Sequence, residues 1–98
     1  MKRELSIPPD TEGATKAIEV FRGWIVDGRL QCTLLPAIWK DQPEMWGILL
    51  ADAAYHVADA LAESTPMPRP VIMAKITKAL LFELSKPTDE HTGDFVGR

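Results

Sequence analysis

The sequence predicts an α+β domain of order β-β-α-α: a β-hairpin packed against two antiparallel helices and completed by dimerisation. Three observations predict it. Asp27-Gly28 sits midway through a stretch rich in β-branched and aromatic residues, apolar residues recur at three and four from Trp46 to Leu61, and the same spacing returns from Ile72 to Leu84 after a proline-rich break.

The hairpin comes first. Asp-Gly suits the two central positions of a type I′ turn, where both residues need positive φ. A two-residue loop pairs Val26 with Arg29, Ile25 with Leu30, Trp24 with Gln31, Gly23 with Cys32, Arg22 with Thr33 and Phe21 with Leu34. Side chains alternate between the faces of a strand, so Phe21, Gly23, Ile25, Leu30, Cys32 and Leu34 share one face, which is apolar and expected to be core. Arg22, Trp24, Val26, Arg29, Gln31 and Thr33 share the other. A rival reading caps a helix with Thr15, runs it from Lys16 to Arg22 and ends it at Gly23. The bulky content of Val20, Phe21, Trp24, Ile25 and Val26 favours the pleated alternative.

Asp41-Gln42-Pro43-Glu44 combines an Asp N-cap, a proline in the first turn and a Glu three residues after the cap, so a helix is expected to begin there. Trp46, Leu49, Leu50, Ala53, Val57, Ala60 and Leu61 form its apolar stripe, Asp52, Asp59 and Glu63 lie opposite, and it runs to about Glu63. Pro66-Met67-Pro68-Arg69-Pro70 is a stiff spacer, because each proline restricts itself and its predecessor. Pro70 opens a second helix with a stripe of Ile72, Met73, Ile76, Ala79, Leu80 and Leu84, which Lys86-Pro87 ends. The domain is expected over 16–86, between a flexible N-terminal segment at 1–15 and a flexible tail at 87–98.

Composition narrows the function classes. The chain has 98 residues, 46% hydrophobic and 26% charged, with a net charge of −3. With a pI of about 5.3, a phosphate backbone is a poor match, so nucleic acid is disfavoured as a partner. The single cysteine, Cys32, makes no internal disulfide and builds no zinc site alone, which fits a reducing compartment. Lys2 and Arg3 are not followed by an apolar h-region, and the stretch from Trp46 to Leu61 is broken by Asp52, His56 and Asp59. A cytoplasmic protein with no membrane span is therefore expected.

With its short hairpin, Trp39, the Asp41-x-Pro43 helix start, the run Trp46-Gly-Ile-Leu-Leu-Ala-Asp-Ala-Ala-Tyr-His-Val-Ala and the ending His91-Thr92-Gly93-Asp94, the chain resembles a family of short bacterial proteins filed as a domain of unknown function. The resemblance implies a small single-domain bacterial protein and carries no activity.

Among chemistry-bearing residues, Asp52 and His56 lie one helical turn apart and Asp59 three residues further on. Carboxylate, imidazole and carboxylate on one face could hold a divalent metal or pair a general base with an orienting acid. The plainer reading is a solvated polar face, because ligand sets are normally assembled from more than one element. His91, with Asp89, Glu90 and Asp94, falls in the expected tail, where ordering costs about 1 to 2 kcal/mol per residue. Cys32 is expected to be a small buried hydrophobe. No Gly-rich phosphate loop and no nucleophile elbow occur, and no metal or cofactor is expected.

The stronger signal is a surface. Beyond Arg22 and Arg29, the second hairpin face carries Trp24 and Val26, and a two-stranded ribbon leaves strand edges that pair with other chains unless covered. A body of this size buries only about 60% of its unfolded surface and here lacks a disulfide or metal staple. The sequence therefore points to a non-enzymatic homodimer, or a module for an unidentified protein partner, with Arg22, Trp24, Val26 and Arg29 at the interface. Trp39 and Trp46 are expected to pack the hairpin onto the first helix. The alternative is a small enzyme or ligand-binding protein using Asp52, His56 and Tyr55.

Overall fold

The structure is a computed structural model and describes residues 1–86. The expected tail and the His91 cluster lie outside the described residues. The element order is a 3-10 turn at Pro9–Thr11, strands β1 (Phe21–Val26) and β2 (Arg29–Leu34), a second 3-10 turn at Pro36–Trp39, and helices α1 (Glu44–Ser64) and α2 (Arg69–Leu84). The chain divides into two compact units, Met1–Ile38 and a second beginning at Trp39.

In the first unit, β1 and β2 pair antiparallel in the register read from the sequence, from Phe21 opposite Leu34 to Val26 opposite Arg29. Asp27 and Gly28 take φ of +50° and +84°, as a turn with two left-handed residues requires. The ladder runs one pair further, where Leu35 N–H donates to the Val20 carbonyl at 3.0 Å. The rival helix does not form; residues 16–20 carry no regular structure and β1 begins at Phe21. Ahead of it, Thr11 Oγ1 donates to the Pro8 carbonyl at 2.8 Å and closes the first 3-10 turn.

The expectation of a buried hairpin face is corrected. Phe21, Ile25, Leu30 and Leu34 are all exposed, at 41 to 51%, and Cys32 is exposed rather than buried. Alternation sorts side chains onto faces but does not say which face is covered. On the other face Trp24 is half-buried, while Val26, Arg22 and Arg29 are exposed.

In the second unit, α1 starts at Glu44 with Pro43 as its N-cap and no side-chain cap bond, so Asp41 is not the cap. Instead a separate turn at residues 40 and 41 follows the 3-10 turn: Gln42 N–H donates to the Trp39 carbonyl, and the Met45 and Trp46 amides donate to the Gln42 and Pro43 carbonyls. With the N-cap at Pro43, Asp41 lies two residues upstream of the position from which its carboxylate could reach the first free amides. The helix then ends one residue beyond expectation, where Ser64 Oγ and Thr65 Oγ1 donate back to the Ala60 and Leu61 carbonyls at 2.9 and 2.7 Å. Pro68 is extended at the N-cap of α2 and Pro70 falls in its first turn, where no backbone donor is lost.

α1 and α2 pack against each other. Ala58 and Ile72 are the only hydrophobic residues buried among the described residues, and Ala54, Ala62, Met73 and Ile76 are half-buried around them. Trp46 and Leu49 of the expected stripe are half-buried too, but along the rest of α1 the covered residues are the alanines, a seam the stripe did not include. Leu50, Val57 and Leu61 of the expected stripe stay 54, 49 and 40% exposed. Small side chains let two helix axes approach closely, and interaxial distance depends on the residues at the contact. On α2 the expected stripe does face inward through Ile72, Met73 and Ile76, but Leu80 and Leu84 are exposed.

Candidate functional site

α1 positions the expected trio by helical spacing alone. His56 Nε2 and Asp52 Oδ2 stand 4.0 Å apart, with side chains 79 and 74% exposed. At that distance and exposure the pair is solvated and contributes at most a few tenths of a kcal/mol. Asp59 does not join it. Its carboxylate turns to Arg69, whose Nε donates to Oδ1 at 2.5 Å. No group of three or more His, Cys, Asp or Glu is placed to hold a metal ion among the described residues.

Tyr55, the other residue of the alternative site, is drawn into the same arrangement as Asp59. The Arg69 guanidinium carbon lies 5.5 Å from the Tyr55 ring centroid. Tyr55 and Asp59 are one turn apart on α1, and Arg69 is the first residue of α2, so one side chain spans both and fixes the start of α2 against α1. This clasp was not anticipated from the sequence. Its signal was the short spacer, which returns the chain within reach of the helix it has just left.

Trp39 and Trp46, expected between hairpin and helix, meet each other: their ring centroids are 5.3 Å apart at 78°, an edge-to-face contact. It ties Trp39 to the first turn of α1.

The hairpin surface is the larger feature. Arg22 is held by two carboxylates: Nη1 donates to Glu4 at 3.0 Å and Nη2 lies 3.1 Å from Glu19 Oε1. Its charge is thereby neutralised locally. A shallow depression of about 440 Å³, open to solvent, lies at the strand ends between Val20, Phe21, Leu34 and Leu35. On the face that Phe21 and Leu34 share with Ile25, Leu30 and Cys32, the four apolar side chains and the thiol are all exposed. Such an arrangement can bury area against another surface.

No helix among the described residues is long and apolar enough to cross a membrane. No curated protein matches the chain. A solved structure from the photosynthetic bacterium Rhodopseudomonas palustrus CGA009, provisionally named a pyruvate dehydrogenase, is similar to it at 36% identity over 97% of this chain and 95% of that one, with a TM-score of 0.73. The model of the family described as domain of unknown function DUF5076 matches residues 4–88, and the chain belongs to that family.

Proposed function

We propose that the protein is a non-enzymatic, cytoplasmic self-associating module, a homodimer formed through its hairpin. The observation that carries this reading is the uncovered ribbon: a two-stranded sheet, each strand paired on one side, with Phe21, Ile25, Leu30 and Leu34 exposed on one face and Val26 on the other. An isolated two-stranded hairpin is marginal in water, and exposed edges template pairing with a second chain. Arg22, Trp24, Val26 and Arg29 form the polar-rimmed side of the proposed interface, and Phe21, Ile25, Leu30 and Leu34 its apolar side. The dehydrogenase name stays with the structural relative, because no polar or charged side chain is buried among the described residues around which a cofactor's electronics would be tuned.

Light scattering over a dilution series tests the reading. The wild-type chain runs as a dimer, while Trp24→Ala and Ile25→Asp shift it toward the single subunit. A wild-type chain that is a single subunit at every concentration, or two variants that dimerise as tightly as wild type, overturns it.

A further inference from the structure

We propose that two copies of the chain join along the free edge of β2: the strand pairs antiparallel with β2 of a second copy, with Cys32 opposite Cys32 on the two-fold axis, and the two hairpins become one sheet of order β1-β2-β2-β1. This assembly rests on the self-association reading above and gives it an edge and a register.

The ladder shows which backbone groups are available. Leu35 N–H donates to the Val20 carbonyl at 3.0 Å, and along an antiparallel ladder hydrogen-bonded pairs alternate with non-bonded ones. In the observed register Arg22–Thr33, Trp24–Gln31 and Val26–Arg29 are therefore the bonded pairs inside the hairpin. Phe21, Gly23 and Ile25 turn their N–H and C=O groups outward from one edge, and Leu30, Cys32 and Leu34 turn theirs outward from the other.

The two edges are unequally guarded. β1 contains Gly23, and its Arg22 is held by Glu4 and Glu19, which fastens the N-terminal segment to that strand. Charges and glycines weaken pairing at an edge. From Leu30 to Leu34, β2 carries no charge, glycine or proline, and every residue of the strand is exposed.

The sequence of β2 says which strand fits it. Two antiparallel strands bond where both turn backbone groups outward, so residues 30, 32 and 34 meet the same three of the other copy. The symmetric register that pairs all three sets Leu30 opposite Leu34 and Cys32 opposite Cys32, with Gln31 opposite Thr33 between them. Apolar side chains then meet on one face, hydrogen-bonding side chains meet on the other, and no like charges are opposed, so the strand is complementary to itself. A foreign strand finds no charge from Leu30 to Leu34 to select it. The exposed Phe21, Ile25, Leu30 and Leu34 of both copies come onto one side of the joined sheet. A lone hairpin is marginal in water, whereas three or more strands with an apolar face hold together. Stacking two hairpins face to face would leave all their edges open.

Amide hydrogen exchange of the full-length wild-type chain, read by NMR above and below the dimer dissociation constant, tests the edge. In the dimer the Leu30, Cys32 and Leu34 amides are expected to exchange at least about tenfold more slowly than in the single subunit, with those of Phe21, Gly23 and Ile25 unchanged. An isotope-filtered NOE spectrum of an equimolar mixture of labelled and unlabelled chains tests the register. It should connect Gln31 Hα to Thr33 Hα between copies, since non-bonded antiparallel pairs bring α-carbons to about 4.5 Å. Protection of the β1 amides instead, or of neither set in a chain that scattering shows to be dimeric, overturns pairing along β2 and leaves the hairpin reading standing. Protection of the β2 amides without the Gln31–Thr33 contact overturns the register with Cys32 on the axis. A wild-type chain that never associates removes both readings.

Discussion

Arg69 Nε and Asp59 Oδ1 meet at 2.5 Å across the turn between α1 and α2. The bridge is half-exposed, and Arg69 also lies over Tyr55. A cation in the first turn of a helix opposes the helix dipole, so Arg69 is poorly placed for α2 alone and well placed only because Asp59 faces it. Removing it should loosen the helix pair.

Arg69→Ala is therefore expected to destabilise the chain by about 0.5 to 1.5 kcal/mol, the sum of a discounted surface ion pair and an exposed cation-π contact. Arg69→Lys should recover part of this, since an ammonium keeps the charge but loses the planar stack. Urea denaturation followed at 222 nm by circular dichroism reads both, and a double-mutant cycle with Asp59→Asn isolates the pair. A coupling energy of zero would show that Arg69 and Asp59 are neighbours without interacting.

The alanine seam makes an opposite pair of predictions on adjacent residues. Ala58 is fully buried, so Ala58→Leu overpacks its surroundings and is expected to cost about 1 to 3 kcal/mol. Val57→Ala, one position earlier, is expected to leave the single subunit within about 0.5 kcal/mol of wild type, since the side chain is half-exposed and alanine is the better helix former. Thermal melts at concentrations below dissociation separate the two. Equal losses at both positions would place the seam on the wrong face.

The hairpin turn depends on Gly28, whose φ of +84° is a region that L side chains enter at a cost. Gly28→Ala should destabilise the hairpin by about 1 to 2 kcal/mol. Faster amide exchange at Trp24 and Gln31, which face each other on the ribbon, is the readout, with α1 amides unchanged.

These elements also show where the sequence was legible. The register was fixed by Asp27-Gly28 because a two-residue turn leaves a single pairing. The helices were visible because their period is local. The α1 boundary was missed at Asp41, where a turn at residues 40 and 41 takes up a good capping pattern. The covered residues of α1 were only partly legible, because periodicity ranks faces by hydrophobicity and does not say which of them a neighbour covers. Ala58 is buried and Ala54 and Ala62 half-buried, as Trp46 and Leu49 of the stripe are, while Leu50, Val57 and Leu61 stay open. At the candidate site, the Asp52–His56 spacing was readable, but the diversion of Asp59 to Arg69 needed the turn that brings α2 back.

Because Asp52 and His56 are solvated and stand 4.0 Å apart, His56→Ala and Asp52→Asn are expected to change stability by less than about 0.5 kcal/mol and to leave dimerisation untouched. Zinc titrated into the wild-type chain should leave its melting temperature unmoved, since a ligand that binds the native state raises it. A zinc-dependent shift abolished by His56→Ala would revive a metal-binding role.

Cys32 reports on the hairpin without altering it. It is exposed in the single chain and lies on the same ribbon face as Ile25 and Leu30, the face expected to be covered on self-association. Alkylation by iodoacetamide should therefore be fast in dilute protein and slow as the concentration rises through the dimer dissociation constant, because a buried thiolate is out of the reagent's reach. The same experiment on Ile25→Asp should show no concentration dependence. A labelling rate that is constant across the series, in a chain shown by scattering to be dimeric, would place the dimer contact away from this face and leave the Trp24 side as the one that binds.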